Sequence, residues 1–208
     1  SSDTITDNGT ATVTGFLSAT TDASNGAINL GSLAVTGTIA LATHGTGNAT
    51  VVNADGLNFE ASEVGGDLAA TATDGDIIDT GVLGITGNSI FTAAAGHSIY
   101  LDSLNTFTGS VTFAAISGNL KNVTIRDQSA LELTPLTLAK VGGDGGDLIV
   151  TTTRSLSDST GGALVIPGTT TISAAGQDVA LNSTNNKLRT FPHSIDHICE
   201  PHKKGFPG

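Results

Sequence analysis

The residues of this chain that carry chemistry gather in a few places. Gly142-Gly143-Asp144-Gly145-Gly146-Asp147-Leu148-Ile149-Val150 fits the nonapeptide GGxGxDxUx letter for letter, a turn in which successive coils of a β-helix share a calcium ion. Calcium bound there would use Asp144 and Asp147. Such sites draw ligands from tandem copies, however, and this copy stands alone: the related Gly65-Gly66-Asp67-Leu68 lacks the Asp-Gly insertion. A structural turn with an inserted pair is the plainer reading. His193, His197, Cys199 and His202 lie close together in the segment HSIDHICEPH, and imidazole with thiolate is a zinc-binding set. Their spacing matches no standard finger, and prolines punctuate the segment. Asp74, Asp76 and Asp79 form the densest acidic cluster, of the kind with which β-helical enzymes cleave polysaccharides. Counted forward by the internal repeat described below, their counterparts are Arg154, Leu156 and Ser159, so solvated turn carboxylates are expected. His44 and His97 sit in Gly-rich turns with no evident carboxylate to orient them, and no GxSxG elbow occurs. The expectation is no catalytic residue and no cofactor.

Composition narrows the class. Eight Lys+Arg against nineteen Asp+Glu, a net charge of −11, cannot supply the cationic surface that phosphate backbones or anionic membranes require. One Cys gives no intramolecular disulfide, and no apolar run approaches the length of a membrane-spanning helix. The opening SSDTITDNGT has neither a basic nor an apolar leader region, so the chain reads as a mature fragment or an excised piece of something larger.

These elements must be placed by a repeating framework. GGDLAATATDGDIIDTG from Gly65 aligns with GGDLIVTTTRSLSDSTG from Gly145 at an offset of 80, with 8 of 17 positions identical. The match continues after a one-residue insertion, pairing Gly96 with Gly176, Leu101 with Leu181 and Asn105 with Asn185. It is best seen over 65–115 and 145–188, with shorter echoes such as the VTG at Val13–Gly15 and Val35–Gly37. Apolar residues alternate with polar or small ones in Ile28/Leu30, Leu33/Val35, Ile39/Leu41, Leu57/Phe59, Val123/Ile125, Leu131/Leu133, Leu136/Leu138 and Val179/Leu181. Period two means strands, and Asn-Gly, Asp-Gly and Gly-Asn pairs punctuate them. Many short interchangeable strands with few aromatics favour a parallel β-solenoid over a sandwich. With coils of roughly 20 residues, the 80-residue repeat would be about four coils, and residues 1–188 a rod on the order of 45 Å long. The last twenty residues, 189–208, abandon the repeat and read as a tail or cap.

Phe107-Thr-Gly109-Ser-Val111, Asn122-Val123-Thr-Ile125-Arg-Asp127, Ala130-Leu131-Glu-Leu133 and Val141-Gly-Gly with Gly146-Asp147-Leu148-Ile-Val150-Thr151 resemble the repeat region of filamentous-haemagglutinin-like bacterial exoproteins. The resemblance spans roughly Leu83 to Leu188. It implies an all-β, right-handed parallel β-helix, secreted or displayed on the cell surface, serving as a stalk segment of an adhesin. Implied partners are a surface glycan or protein, or further copies end to end, without nucleic acid and without membrane insertion. Two rivals remain: a β-helical polysaccharide-degrading enzyme and a calcium-dependent solenoid module. Runs such as Thr10/Thr12/Thr14, Thr71/Thr73, Thr151–Thr153 and Thr169–Thr171 would suit an ice-binding array only if they formed ladders at regular coil spacing, and none is evident; high β propensity explains them more simply. Sequons at Asn8, Asn48, Asn122 and Asn182 matter only in a glycosylating host.

Overall fold

The computed structural model describes residues 3–22 and 24–189. These residues contain no helix; short strands run from Ile5–Thr6 to Lys187–Leu188. Every pairing between them is parallel, and each strand hydrogen-bonds to strands one coil away. The architecture is a parallel β-solenoid of about eight coils, with two ten-stranded sheets and a three-stranded one. Coils range from 19 residues, where Ala49 pairs with Leu68, to 28, where Leu136 pairs with Leu164. At the spacing of about 4.8 Å between paired strands, the stack is on the order of 40 Å long.

The period-two pattern determines which side chains enter the core. Seven of the eight alternating pairs are buried at both positions; in the eighth, Val179 is buried and Leu181 partly so. Each coil contributes inward residues that lie above and below their counterparts, as in the column Ile28, Ala49, Leu68, Ser89, Val111. The interior is not uniformly slim. Phe91 stacks on Phe113 of the next coil at 6.2 Å and meets Phe107 edge-on at 5.9 Å, so three of the chain's seven Phe fill the middle coils.

Where the chain turns between strands, backbones of successive coils come into contact. A Cβ on Gly37 would lie on the carbonyl oxygen of Gly15, and one on Gly109 within 2.5 Å of that of Gly87. The VTG echo has this physical basis: Val13 pairs with Val35, and Gly37 sits over the carbonyl of Gly15, where no side chain fits.

Two core positions depart from the aliphatic rule. Ser89 and Thr170 are fully buried, and neither hydroxyl has a partner. Ser89 is followed by Ile90-Phe91 and Thr170 by Thr171-Ile172, and the two occupy corresponding places in successive repeats. An unpaired buried hydroxyl costs on the order of 1 kcal/mol or more. Thr170→Val, which exchanges it for a methyl, and Ser89→Ala should each stabilise the chain by about 1 kcal/mol, read as a higher urea midpoint at unchanged slope.

Candidate functional site

The polar groups of the solenoid form two systems that tie coil to coil. The first is a buried corner. Asp79 Oδ1 accepts the backbone N–H groups of Asp102 and Ser103 at 2.9 and 3.2 Å, and its Oδ2 accepts Asn105 Nδ2 at 2.7 Å. Asn105 Oδ1 in turn accepts the N–H of Leu83 at 2.8 Å. The carboxylate thereby holds the bulged strand Ile99–Phe107 where it bends between Leu101 and Asn105. Asp158 repeats the arrangement, accepting from Asn182 N, Ser183 N and Asn186 Nδ2 at 2.9, 3.2 and 2.7 Å, while Asn186 Oδ1 takes the N–H of Leu164. Asp7, through Ser32 N, makes a first and simpler copy on the other bulged strand, Ile28–Val35.

These corners correct the sequence reading twice. Asp79 does have an acidic counterpart, Asp158 one residue before Ser159, and Asn105 corresponds to Asn186 rather than Asn185. In each case one residue is lost or gained in a turn, which a straight offset of 80 cannot follow. The signal that would have found the corners is an Asp 24 or 25 residues before the Ser of β-x-Leu-x-Ser: Asp7 and Ser32, Asp79 and Ser103, Asp158 and Ser183. The repeat is not four coils either. The register from Ile5 through Ile28, Ala49, Leu68, Ser89, Val111 and Leu133 to Asp158 takes seven steps, and the middle corner falls on the other large sheet. Each repeat is therefore about three and a half coils.

The second system lies on the surface. Asn48 Oδ1 accepts the N–H of Asp67, Asp67 Oδ1 that of Asn88, and Asn88 Oδ1 that of Ser110, at 2.7–3.1 Å. A shorter ladder runs from Asn122 through Asp147 to Thr169 at 3.0 and 2.6 Å. Gly66, Gly87, Gly109 and Gly168 each leave room for the side-chain oxygen of the rung one coil before. Asp147, the second calcium candidate, spends one carboxylate oxygen on its rung. Asp144 sits apart on a tight hairpin closed by Val141 N to Asp144 O at 2.8 Å, with Gly142 and Gly143 at φ 64° and 89°, and Lys121 Nζ lies 3.8 Å from its carboxylate. Among the described residues no three His, Cys, Asp or Glu side chains converge as a metal site. His193, His197, Cys199 and His202 lie outside the described residues.

The acidic cluster separates into inside and outside. Asp79 is buried in its corner, whereas Asp74 and Asp76 flank His97 across a coil boundary, Asp74 Oδ1 at 3.5 Å from Nε2 and Asp76 Oδ1 at 3.3 Å from Nδ1. His97 thus has two carboxylates where the sequence suggested none. The threonines form no continuous array: Thr71 pairs with Thr92, but the neighbouring rungs are Val52 and Ala114.

The three carboxyls that cross-link coils titrate differently because they are buried differently. Burial pushes Asp79 above the ordinary aspartate value, against hydrogen bonds from Asn105, Ser103 and Asp102 that lower it. Burial likewise raises Asp127, opposed by Ser129 and the Phe107 N–H. Asp158 is less deeply buried, so burial there is outweighed by hydrogen bonds from Asn186 and Ser183, and its carboxyl lies below the ordinary range.

A group raised in the folded state favours folding below its unfolded pKa and loses that contribution as pH rises through the folded value; a depressed group does the reverse. Asp79 and Asp127 therefore weaken the fold as pH climbs above about 4, Asp158 weakens it as pH falls below that, and mutual repulsion in the −11 chain adds to the first trend. The urea midpoint should peak near pH 4 and decline towards neutrality; a profile that rises from pH 4 to 7 would contradict these assignments. At neutral pH, Asp79→Ala strands Asn105 and two amide groups and should cost about 3 kcal/mol, against about 1 for the more accessible Asp158→Ala, compared by denaturant unfolding.

Comparison with known proteins agrees with this repeat structure. A family model described as repeats of unknown function (DUF5649) matches residues 46–114 and again 120–191. The two matches begin at equivalent ladder positions, just ahead of Asn48 and Asn122. No curated protein and no solved structure matches the chain. Two matched segments that together span more than half of the sequence, each carrying the same ladder and a corner carboxylate, place this chain in the DUF5649 repeat family.

Proposed function

We propose that this solenoid is a stalk segment of a secreted or cell-surface adhesin, a non-enzymatic spacer that holds a binding surface away from the cell. The observation that carries the reading is how the polar residues are used. Asp7, Asp79 and Asp158, both Asx ladders and the buried Asn53 and Ser62 all bond to neighbouring coils, Asn53 and Ser62 also tying their own coil through Gly56 O and Glu60 O. Such use builds length and stiffness rather than a reaction centre. One further feature suits life outside a cell: residues 1–120 contain no Lys or Arg at which a trypsin-like protease could cut. In this reading the partner is a surface glycan or protein, met through side chains on the flanks of the rod, and no cofactor is needed.

The test is placement and binding. Antibody against the chain should label intact, unpermeabilised cells of the source organism, and the purified chain should bind glycans or a cell-surface extract without altering them. Confinement of the label to permeabilised cells would sink the surface reading. Release of new reducing ends from acidic polysaccharides would replace the spacer with an enzyme.

A further inference from the structure

One flank of the rod departs from the rule that polar side chains join coil to coil. Leu57, Asn58 and Phe59 pair with Ile77, Ile78 and Asp79 of the following coil, whereas towards the preceding coil only Phe59 has a strand partner, Ile39. Beside the other two runs the turn of residues 35–38, and a groove of about 580 Å³ opens there, lined by Thr36, Thr38, Asp55, Asn58, Asp76 and Ile78 among others. Small-molecule sites occupy roughly 300–1,000 Å³. The walls are braced from within: buried Asn53 donates Nδ2 to Val35 O and Gly56 O at 2.9 and 2.7 Å and accepts the Val35 N–H at 2.8 Å. Among the described residues, the Asp55 carboxylate, the Thr38 hydroxyl and Asp76 Oδ2 have no hydrogen-bond partner, since Asp76 holds Ser98 N and His97 through Oδ1.

The groove leads onto a ladder of outward side chains. Asn58 pairs with Ile78, Ile78 with Tyr100, Tyr100 with Thr124, Thr124 with Ile149 and Ile149 with Thr171, all half-buried except Ile149, which is exposed. Five steps of about 4.8 Å make a track of about 24 Å along the rod. An extended peptide docks by adding to a free strand edge. Ile78, Tyr100, Thr124 and Ile149 are paired on both sides, so this track offers side chains only.

We propose that the groove and its ladder bind an uncharged glycan chain lying along the rod, one end seated among Thr38, Asp55, Asn58 and Asp76. A sugar ring carries hydroxyls around its edge and C–H groups on its faces. Carboxylates take hydroxyl protons in charge-assisted bonds, the Asn58 amide and the Thr38 hydroxyl can donate as well as accept, and Ile78 and Tyr100 supply apolar surface with a polar tip. Charge selects among glycans: residues 1–120 hold eleven Asp and Glu and no Lys or Arg, so uronate-rich and sulfated chains are repelled. The inference rests on the reading that a glycan or protein is met on the flanks of the rod, and gives that partner a place and a class.

The chain has one Tyr and no Trp, so tyrosine emission reports on Tyr100 alone. The probes are immobilised and soluble neutral chains of hexoses and N-acetylhexosamines long enough to span the ladder, beside a polyuronate and a sulfated glycan. Neutral chains should bind the full protein and change the tyrosine emission. Asp55→Ala and Tyr100→Ala should each weaken binding about tenfold with melting retained, Tyr100→Phe should keep most of it, and Ile90→Ala, on another face, should leave it unaltered. Preference for the anionic chains overturns the proposal. So does neutral-chain binding that leaves the emission constant and survives Asp55→Ala. If surface labelling succeeds but no neutral chain binds, this site falls and the adhesin reading stands with a protein partner. If neutral chains bind here but labelling is confined to permeabilised cells, the site stands and the adhesin reading falls.

Discussion

Coils stacked about 4.8 Å apart must leave no backbone amide without a partner where the chain turns. Along the straight strands parallel pairing meets that demand automatically. At the corners the backbone swings out of register, and a side chain has to supply the missing acceptor. Asn, Asp, Ser and Thr have the reach for it: Asn48, Asp67, Asn88, Asn122 and Asp147 do so on the surface, and Asp79, Asn105 and Asp158 inside. The glycines follow from the same demand, because an Asx rung and a Cβ one coil away would occupy the same space.

This economy of polar groups shapes the rest of the molecule. With the corner residues committed to structure, the outward strand positions carry small or β-branched residues such as Thr50, Ala69, Ile90 and Thr112 together with Glu63, Tyr100, Arg126 and Glu132. The interior needs only to be apolar and of tolerable bulk, so Phe91, Phe107 and Phe113 pack where other coils use Leu, Val or Ala. His97, the one described imidazole with carboxylates on both sides, bridges two coils in the same fashion. Asp79, Asp147 and His97, singled out in the sequence for their chemistry, each join one coil to the next.

The half-integral repeat has a structural consequence. About three and a half coils per repeat carry the Asp corner from one large sheet to the other and back, so the bulges of Ile28–Val35 and Ile99–Phe107 lie on different sheets.

Strand content, the inward residues and the solenoid itself were legible in the sequence, because period-two alternation and turn glycines are local and survive without knowledge of partners. Ile39/Leu41 or Val123/Ile125 needs no structure to be assigned inward. The repeat at 65 and 145 was visible too, but its exact correspondence was not, since single-residue changes in turns shift Asp158 and Asn186 off a fixed offset. The roles of Asp7, Asp79, Asp147 and His97 depend on contacts 21 to 26 residues apart across a coil boundary. Coil length varies from 19 to 28 residues, so linear spacing cannot say which side chain meets which amide. The sequence by itself determined that the chain winds and what it buries; only the stacked structure decided which polar residues clasp which coil, because that depends on register between turns of unequal length.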